Sequence, residues 1–320
     1  MITVSAPGKL MLFGEHAAVY GHPCIVTAVD ERMYATIELL DSQDFELQAP
    51  DVKVVDYKKP IAELGDGEIP KGAKFVEIAV KNFFEKYNLS QGIKVTTRSD
   101  FSSEFGFGSS SASTVCVIKA LSEIFDLKLY NKEIFDLSCK TVLDIQGKGS
   151  GFDVAAAVYG GTLYFFTGGK VIEPLHVTSL PLIVGYSGVK ADTVTLINSV
   201  KELSTSNPQL VEGIYNSIEI ITESAKKELL SQDFEKVGEL MSENQKLLVS
   251  LGASIPKIDD MILGATENGA FGAKLSGAGG GDCIIALSPS EKIDSVNNGI
   301  TNAGGKILAV KTNAEGARIE

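Results

Sequence analysis

Seven consecutive residues, Gly106-Phe107-Gly108-Ser109-Ser110-Ser111-Ala112, have the types that hold phosphate. Glycines let a backbone come close to an anion, and the mouth of a following helix offers free N–H groups and the positive end of its dipole. Serine hydroxyls in a first helical turn can bond phosphate oxygens or ligate Mg²⁺. No Gly-Lys-Ser/Thr follows, so this is not the P-loop pattern, and its spacing is not the dinucleotide fingerprint either. Taken alone, the run also suits a serine-capped helix behind a flexible turn.

Composition narrows the ligand. The 320 residues carry a net charge of -12, and no stretch gathers Lys and Arg into a basic patch. A nucleic-acid backbone or an anionic membrane would be repelled in bulk, whereas a few N–H groups and one lysine can still capture a small anion. Cys24, Cys116, Cys139 and Cys283 form no C-x-x-C pair and read as reduced thiols. The three histidines are equally scattered, so neither a zinc site nor a Cys–His dyad is expected. No signal peptide is visible at Met1-Ile2-Thr3-Val4-Ser5, and no apolar run approaches the ~18 residues of a membrane span. A cytoplasmic enzyme with a small-molecule substrate is expected, with a homodimer left open.

The elements that must position these residues follow from periodicity. Ile2–Ala6, Ile25–Val29 and Tyr34–Leu39 read as strands. Residues 41–74 show little periodicity and hold Pro50, Pro60, Gly65, Gly67, Pro70 and Gly72, which predicts a surface excursion or lid. An amphipathic helix is expected from Phe75 to near Asn88, a strand over Ile93–Thr97, and a helix after the glycine–serine run. Another helix should start at Asn131 as N-cap and break over 147–151. Gly160-Gly161 precedes a strand to Phe166, and Gly168-Gly169 reads as a hairpin turn. Past Pro181 come two or three long helices, then strands at Cys283–Leu287 and Lys306–Val310. The class is α+β, in two lobes dividing near residue 180 (1–180 and 181–320), with the final strands in the second.

Two further runs join the first. One is Ser5-Ala6-Pro7-Gly8-Lys9-Leu10-Met11-Leu12-Phe13-Gly14-Glu15-His16-Ala17-Ala18-Val19-Tyr20-Gly21; the other is Lys274-Leu275-Ser276-Gly277-Ala278-Gly279-Gly280-Gly281-Asp282-Cys283. In this order and spacing the three runs resemble the GHMP kinases, a family named for galactokinase, homoserine kinase, mevalonate kinase and phosphomevalonate kinase. The resemblance covers nearly the whole chain. It implies an N-terminal lobe like ribosomal protein S5, a ferredoxin-like C-terminal lobe, and ATP with Mg²⁺ as cofactors. Gly14 to Gly21 resembles the mevalonate kinase branch, as does Gly269-Ala270-Phe271-Gly272-Ala273-Lys274. The resemblance makes Asp153, within Gly149-Ser150-Gly151-Phe152-Asp153, the catalytic carboxylate and Lys9 its cationic partner. It assigns ATP to Gly106, Phe107, Gly108, Ser109, Ser110, Ser111 and Ala112, and to Ser276, Gly277, Ala278, Gly279 and Gly280. Glu15, His16, Gly151 and Thr193 fall on the substrate side.

Several positions depart from the family pattern. Ser102 and Glu104 stand where a Pro and a Gly are usual. The family's metal-ligating Glu, eleven residues before the catalytic Asp, is Val142 here, and Asp144 should face elsewhere on the helix. That leaves Ser110 as the matched metal ligand, with Glu104, water or the nucleotide to complete the shell. Gly281-Asp282-Cys283, the missing Glu and the Gly149–Ala155 run lean towards phosphomevalonate kinase, which stays as the alternative; His16 leans against it. Lys190 could pair with a substrate phosphate or be solvated. A non-catalytic ligand sensor on the same fold is the remote alternative.

Overall fold

The computed structural model describes residues 1–177, 180–191 and 193–320, with only the backbone for 193, 194 and 197. The chain opens with two long strands, β1 (Ile2–Phe13) and β2 (Pro23–Leu39), then β3 (Asp44–Ala49), β4 (Val54–Pro60), α1 (Lys74–Tyr87) and β5 (Ile93–Ser99). Three helices follow: α2 (Ser109–Ile124), α3 (Asn131–Gln146) and α4 (Phe152–Tyr159). The hairpin β6 (Thr162–Phe166) and β7 (Val171–Leu175) comes next. With the C-terminal β12 (Arg318–Ile319), these strands form one sheet in the order β12-β1-β2-β5-β3-β4, and β6 and β7 continue from the other half of β2. All pairs are antiparallel except β3 with β5.

The second half runs β8 (Leu182–Tyr186), α5 (Thr193–Ser206), α6 (Pro208–Ser231), α7 (Phe234–Ser250), α8 (Pro256–Glu267), β9 (Gly272–Ser276), β10 (Cys283–Leu287), α9 (Ile293–Asn302) and β11 (Lys306–Leu308). Its sheet has the order β11-β8-β10-β9, all antiparallel. The α+β class is as expected, with one sheet in each half and helices packed on it.

Helix α2 explains why the phosphate-binding run stays where it is. Val115, Cys116, Val117, Ile118, Ala120 and Leu121 are all fully buried, because the helix lies against β1 and β2 with α1, α3 and α4 around it. A helix apolar on nearly every side belongs inside the protein. The hydroxyls of Ser113 and Thr114 are accommodated there by donating to the Ser110 carbonyl at 3.0 and 2.9 Å. Burial of the helix thereby anchors its N-terminus against β1 and β2.

Four expectations need correction. Residues 41–74 are no lid. Phe45, Leu47 and Ala49 alternate with half-exposed Asp44, Glu46 and Gln48, a period of two masked by acidic composition. β4 closes that edge, with exposed Lys58 and a terminal Pro60 that discourage further pairing. The turn beyond is pinned to α1 by the fully buried Glu77 carboxylate, which accepts from Tyr57 Oη at 2.6 Å, Lys59 Nζ at 2.8 Å and the Gly65 N–H at 2.8 Å. The N-cap of α3 is Tyr130 rather than Asn131, and the Glu133 carboxylate accepts the Tyr130 N–H at 3.0 Å. Strand β9 had been hidden inside a motif. Finally, the chain's end leaves the second half: β12 (Arg318–Ile319) pairs with β1, and buried Arg32 donates to the Glu315 and Gly316 carbonyls, each at 2.8 Å.

Candidate active site

The pairing of β1 with β2 shifts from Pro7–Arg32 to Gly8–Val29, so Asp30 and Glu31 of β2 form a bulge just before Lys9. The Lys9 N–H donates to the Phe107 carbonyl at 3.0 Å and its Nζ to the Gly106 carbonyl at 2.8 Å, so the glycine turn docks on this strand. Lys9 is only 8% exposed. Burial pushes its ammonium below the ordinary lysine range, and the charges of Asp153, Asp282 and Glu15 oppose that shift.

Gly108 caps α2 in the left-handed conformation at φ 77, and no side chain caps the helix. The first-turn N–H groups therefore have no intrahelical partner. A Cβ at Gly108 would lie 3.3 Å from Lys9 Cγ, 3.4 Å from Lys9 Cε and 3.7 Å from Asp153 Cβ. Lys9 and Asp153 thus stand on either side of the bare helix mouth. Asp153 opens α4, where a negative charge is favoured by the helix dipole. Its Oδ1 accepts the Val154 N–H at 3.0 Å, and its Oδ2 accepts the Ser111 hydroxyl. Together these groups face a cavity of about 410 Å³, the size of a small-molecule site.

The cavity wall also takes in Glu15, His16, Ser109, Ser110, Gly151, Gly277 and Ala278. The carbonyl of Ala278 lies 2.8 Å from His16 Nε2. A carbonyl only accepts, so Nε2 carries the proton and Nδ1 is left with a lone pair. Burial lowers the pKa of this imidazole, which favours that neutral form. Glu15 pairs with Lys274 of β9, both side chains fully buried, and Glu15 Oε2 has no partner among the described residues. Burial pushes the Glu15 carboxyl up and the Lys274 ammonium down, and each charge resists the other's shift.

Other expected residues stand elsewhere. Phe107 and Ala112 lie behind the wall, 2% and 1% exposed, with Phe107 packed on Phe101 and Phe105. Ser276 Oγ accepts the Met11 N–H at 2.9 Å and donates to the Met11 carbonyl at 3.0 Å, clasping β9 to β1. Gly279 and Gly280 pack on Ala253 and Leu196 instead of the cavity. Glu104 is exposed on a turn outside the wall. Thr193 opens α5, but its side chain lies outside the described residues. As expected, Asp144 faces away from the cavity, bound to Lys140 at 2.6 Å and Asn82 at 2.9 Å.

Ser150 and Asp282 are among the wall residues given no role from sequence. Ser150 is 4% exposed, and its hydroxyl has no partner among the described residues. Asp282 was noticed only as an oddity, yet its carboxylate reaches the cavity beside Gly106. An acid closing a glycine run, Gly279-Gly280-Gly281-Asp282, is the signal in the sequence that could have marked it. No group of three His, Cys, Asp or Glu side chains forms a ready-made metal cage among the described residues. Ser110, Asp153 and Asp282 are nevertheless oxygen donors on one wall, which suits a hard cation that also takes ligands from a phosphate chain and water.

The family models described as GHMP kinases N terminal domain and GHMP kinases C terminal match residues 74–161 and 225–306. The mevalonate kinase of Pyrococcus abyssi is 36% identical, over 100% of this chain and 98% of that protein. That of Saccharolobus solfataricus is 32% identical, over 91% of each. Among solved structures, the Methanococcus jannaschii mevalonate kinase aligns with a TM-score of 0.82 at 27% identity, covering 97% of both chains. A Lin0012 protein from Listeria innocua aligns at 0.89 with 25% identity, covering 100% of this chain and 99% of that one.

The buried Glu15–Lys274 pair yields a prediction about the seam between the halves. Lys274→Met should lower unfolding free energy by about 3–5 kcal/mol in urea titrations, since it strands a buried carboxylate. Adding Glu15→Gln should recover part of that loss. Additive losses in the double variant would show that the two groups are not coupled.

Proposed function

The chain belongs to the GHMP kinase family, and from that premise we propose that its cavity transfers the γ-phosphoryl of ATP to the 5-hydroxyl of mevalonate. The protein is an ATP-dependent kinase whose full-length relatives are mevalonate kinases. The observation that carries the chemistry is Lys9 and Asp153 flanking the uncapped mouth of α2. The triphosphate lies along the free N–H groups of Ser109, Ser110 and Ser111. Asp153 accepts the proton of the acceptor hydroxyl, while Lys9 offsets charge on that oxygen and on the transferring group. Mg²⁺, held by Ser110 and Asp153 with the nucleotide, would neutralise charge between the β- and γ-phosphates.

On the acceptor side, His16 Nδ1 can take a hydrogen bond from a substrate hydroxyl, and Gly151 lines the same cavity. Ser276, Gly279 and Gly280 serve this site by fixing β9 and its turn, so Gly277 and Ala278 are the part of that run offered to ligands. A phosphorylated acceptor remains the rival, because Lys190 is on the wall and could meet a phosphate. We place the working protein in the cytoplasm, a reading supported by four free cysteines and the need for ATP. The lobes are proposed to divide between β7 and β8, near residue 180.

Coupled ADP release should be at least about tenfold faster in kcat/KM with mevalonate than with 5-phosphomevalonate; the reverse order would transfer the assignment to phosphomevalonate kinase. Asp153→Asn keeps the acceptor for the Val154 N–H. It should leave metal-free ADP binding, measured in EDTA, within about twofold while cutting kcat by about 10²–10⁴. Turnover near the wild-type rate would remove Asp153 from the proton transfer.

A further inference from the structure

The turn joining β9 to β10 holds Gly277, Gly279, Gly280 and Gly281 at positive φ, then Asp282 at φ 54. Glycine adopts that angle freely, while an L-residue there costs about 1–2 kcal/mol. Aspartate is one of the L-residues that visits this region, as Asp56 and Asp126 also do here, so the angle alone assigns no role. The position of Asp282 supplies one. A Cβ at Gly106 would lie 2.6 Å from Asp282 Oδ2, so this oxygen rests against the phosphate-binding turn. The other oxygen, Oδ1, accepts the Ala191 N–H at 2.9 Å, which orients the carboxylate.

Charge sharpens the point. Lys9, whose Nζ bonds the Gly106 carbonyl, feels both Asp153 and Asp282. A triphosphate entering beside two carboxylates would be repelled unless a divalent cation came with it. Elsewhere in the cavity lining α3 offers Val142, 6% exposed and apolar, where the family pattern has a carboxylate. The wall therefore lacks one acidic ligand on α3 and gains one on the glycine turn. The Ser150 hydroxyl, also in the cavity lining, is nine-tenths buried and has no partner among the described residues, a separate sign that the cavity takes a polar ligand.

We propose that Asp282, reaching across from the second half of the chain, supplies the second carboxylate for the nucleotide's divalent cation, directly or through a cation-bound water. This rests on the kinase reading above. It makes Asp282 a positioning residue whose contribution appears only when cation and nucleotide are both present.

The test is calorimetric titration of the full-length protein with ADP, in Mg²⁺ and again in EDTA, for wild type, Asp282→Asn and Asp282→Gly. Asn keeps the acceptor for the Ala191 N–H and removes only the charge. Gly relieves the left-handed strain but gives up that acceptor, so the two variants remove the charge at different structural cost, and both should still unfold cooperatively on heating. The wild-type gain in ADP affinity from Mg²⁺ should fall about ten- to a hundredfold in both variants, while affinity in EDTA holds or improves. A second titration with Mn²⁺, followed by its paramagnetic signal, should show the same loss of ternary-complex binding. An unchanged Mg²⁺ gain, or equal losses with and without metal, would overturn the role of Asp282 alone. Absence of ADP binding in the wild type would overturn the nucleotide site itself, and this proposal with it.

Discussion

A lysine ammonium that is 8% exposed must be compensated on every side, and that requirement organises this protein. Taking such a charge out of water costs several kcal/mol unless carboxylates and carbonyls replace the solvent. Lys9 obtains the Gly106 carbonyl from the turn before α2, the field of Asp153 from α4, and those of Glu15 and Asp282 from the lobe seam. Each of these comes from a different element. The bulge in β2 facing Gly8, the bare Gly108 and the deep burial of α2 are conditions for bringing them together.

The seam between the two halves is polar where it borders the cavity. Ser276 clasps Met11, His16 bonds the Ala278 carbonyl, and Lys274 pairs with Glu15. Residues from the third sequence run thus fasten the end of β1, the segment that presents Lys9, Glu15 and His16. Half of what looks like a nucleotide-binding run acts by holding protein to protein. That division of labour explains why Gly279 must approach Ala253, whose carbonyl oxygen lies where its Cβ would be.

Much of this was legible in advance, for identifiable reasons. The runs around Lys9, Gly106 and Asp153 mark themselves by residue type, because backbone access to phosphate requires glycine and proton transfer requires an acid. Helices α6 and α7 follow from apolar spacing, and the β6–β7 hairpin from Gly168-Gly169. What escaped was set by partners distant in sequence. Asp44–Ala49 becomes a strand because β5 lies beside it, and the chain's end joins β1 because Arg32 binds its carbonyls. Glu104 and Asp282 were both acids beside phosphate-binding glycines, and spacing could not tell which faces the cavity. Only the crossing of the two halves places Asp282 against Gly106 and leaves Glu104 in solvent.

The central claim is spatial, and a crystal structure with a non-hydrolysable ATP analogue and mevalonate tests it most directly. The triphosphate should lie against the N–H groups of Ser109, Ser110 and Ser111, with the acceptor's 5-oxygen within hydrogen-bonding reach of both Lys9 Nζ and an Asp153 carboxylate oxygen. A triphosphate bound away from the start of α2, or an acceptor hydroxyl remote from Asp153, would contradict it.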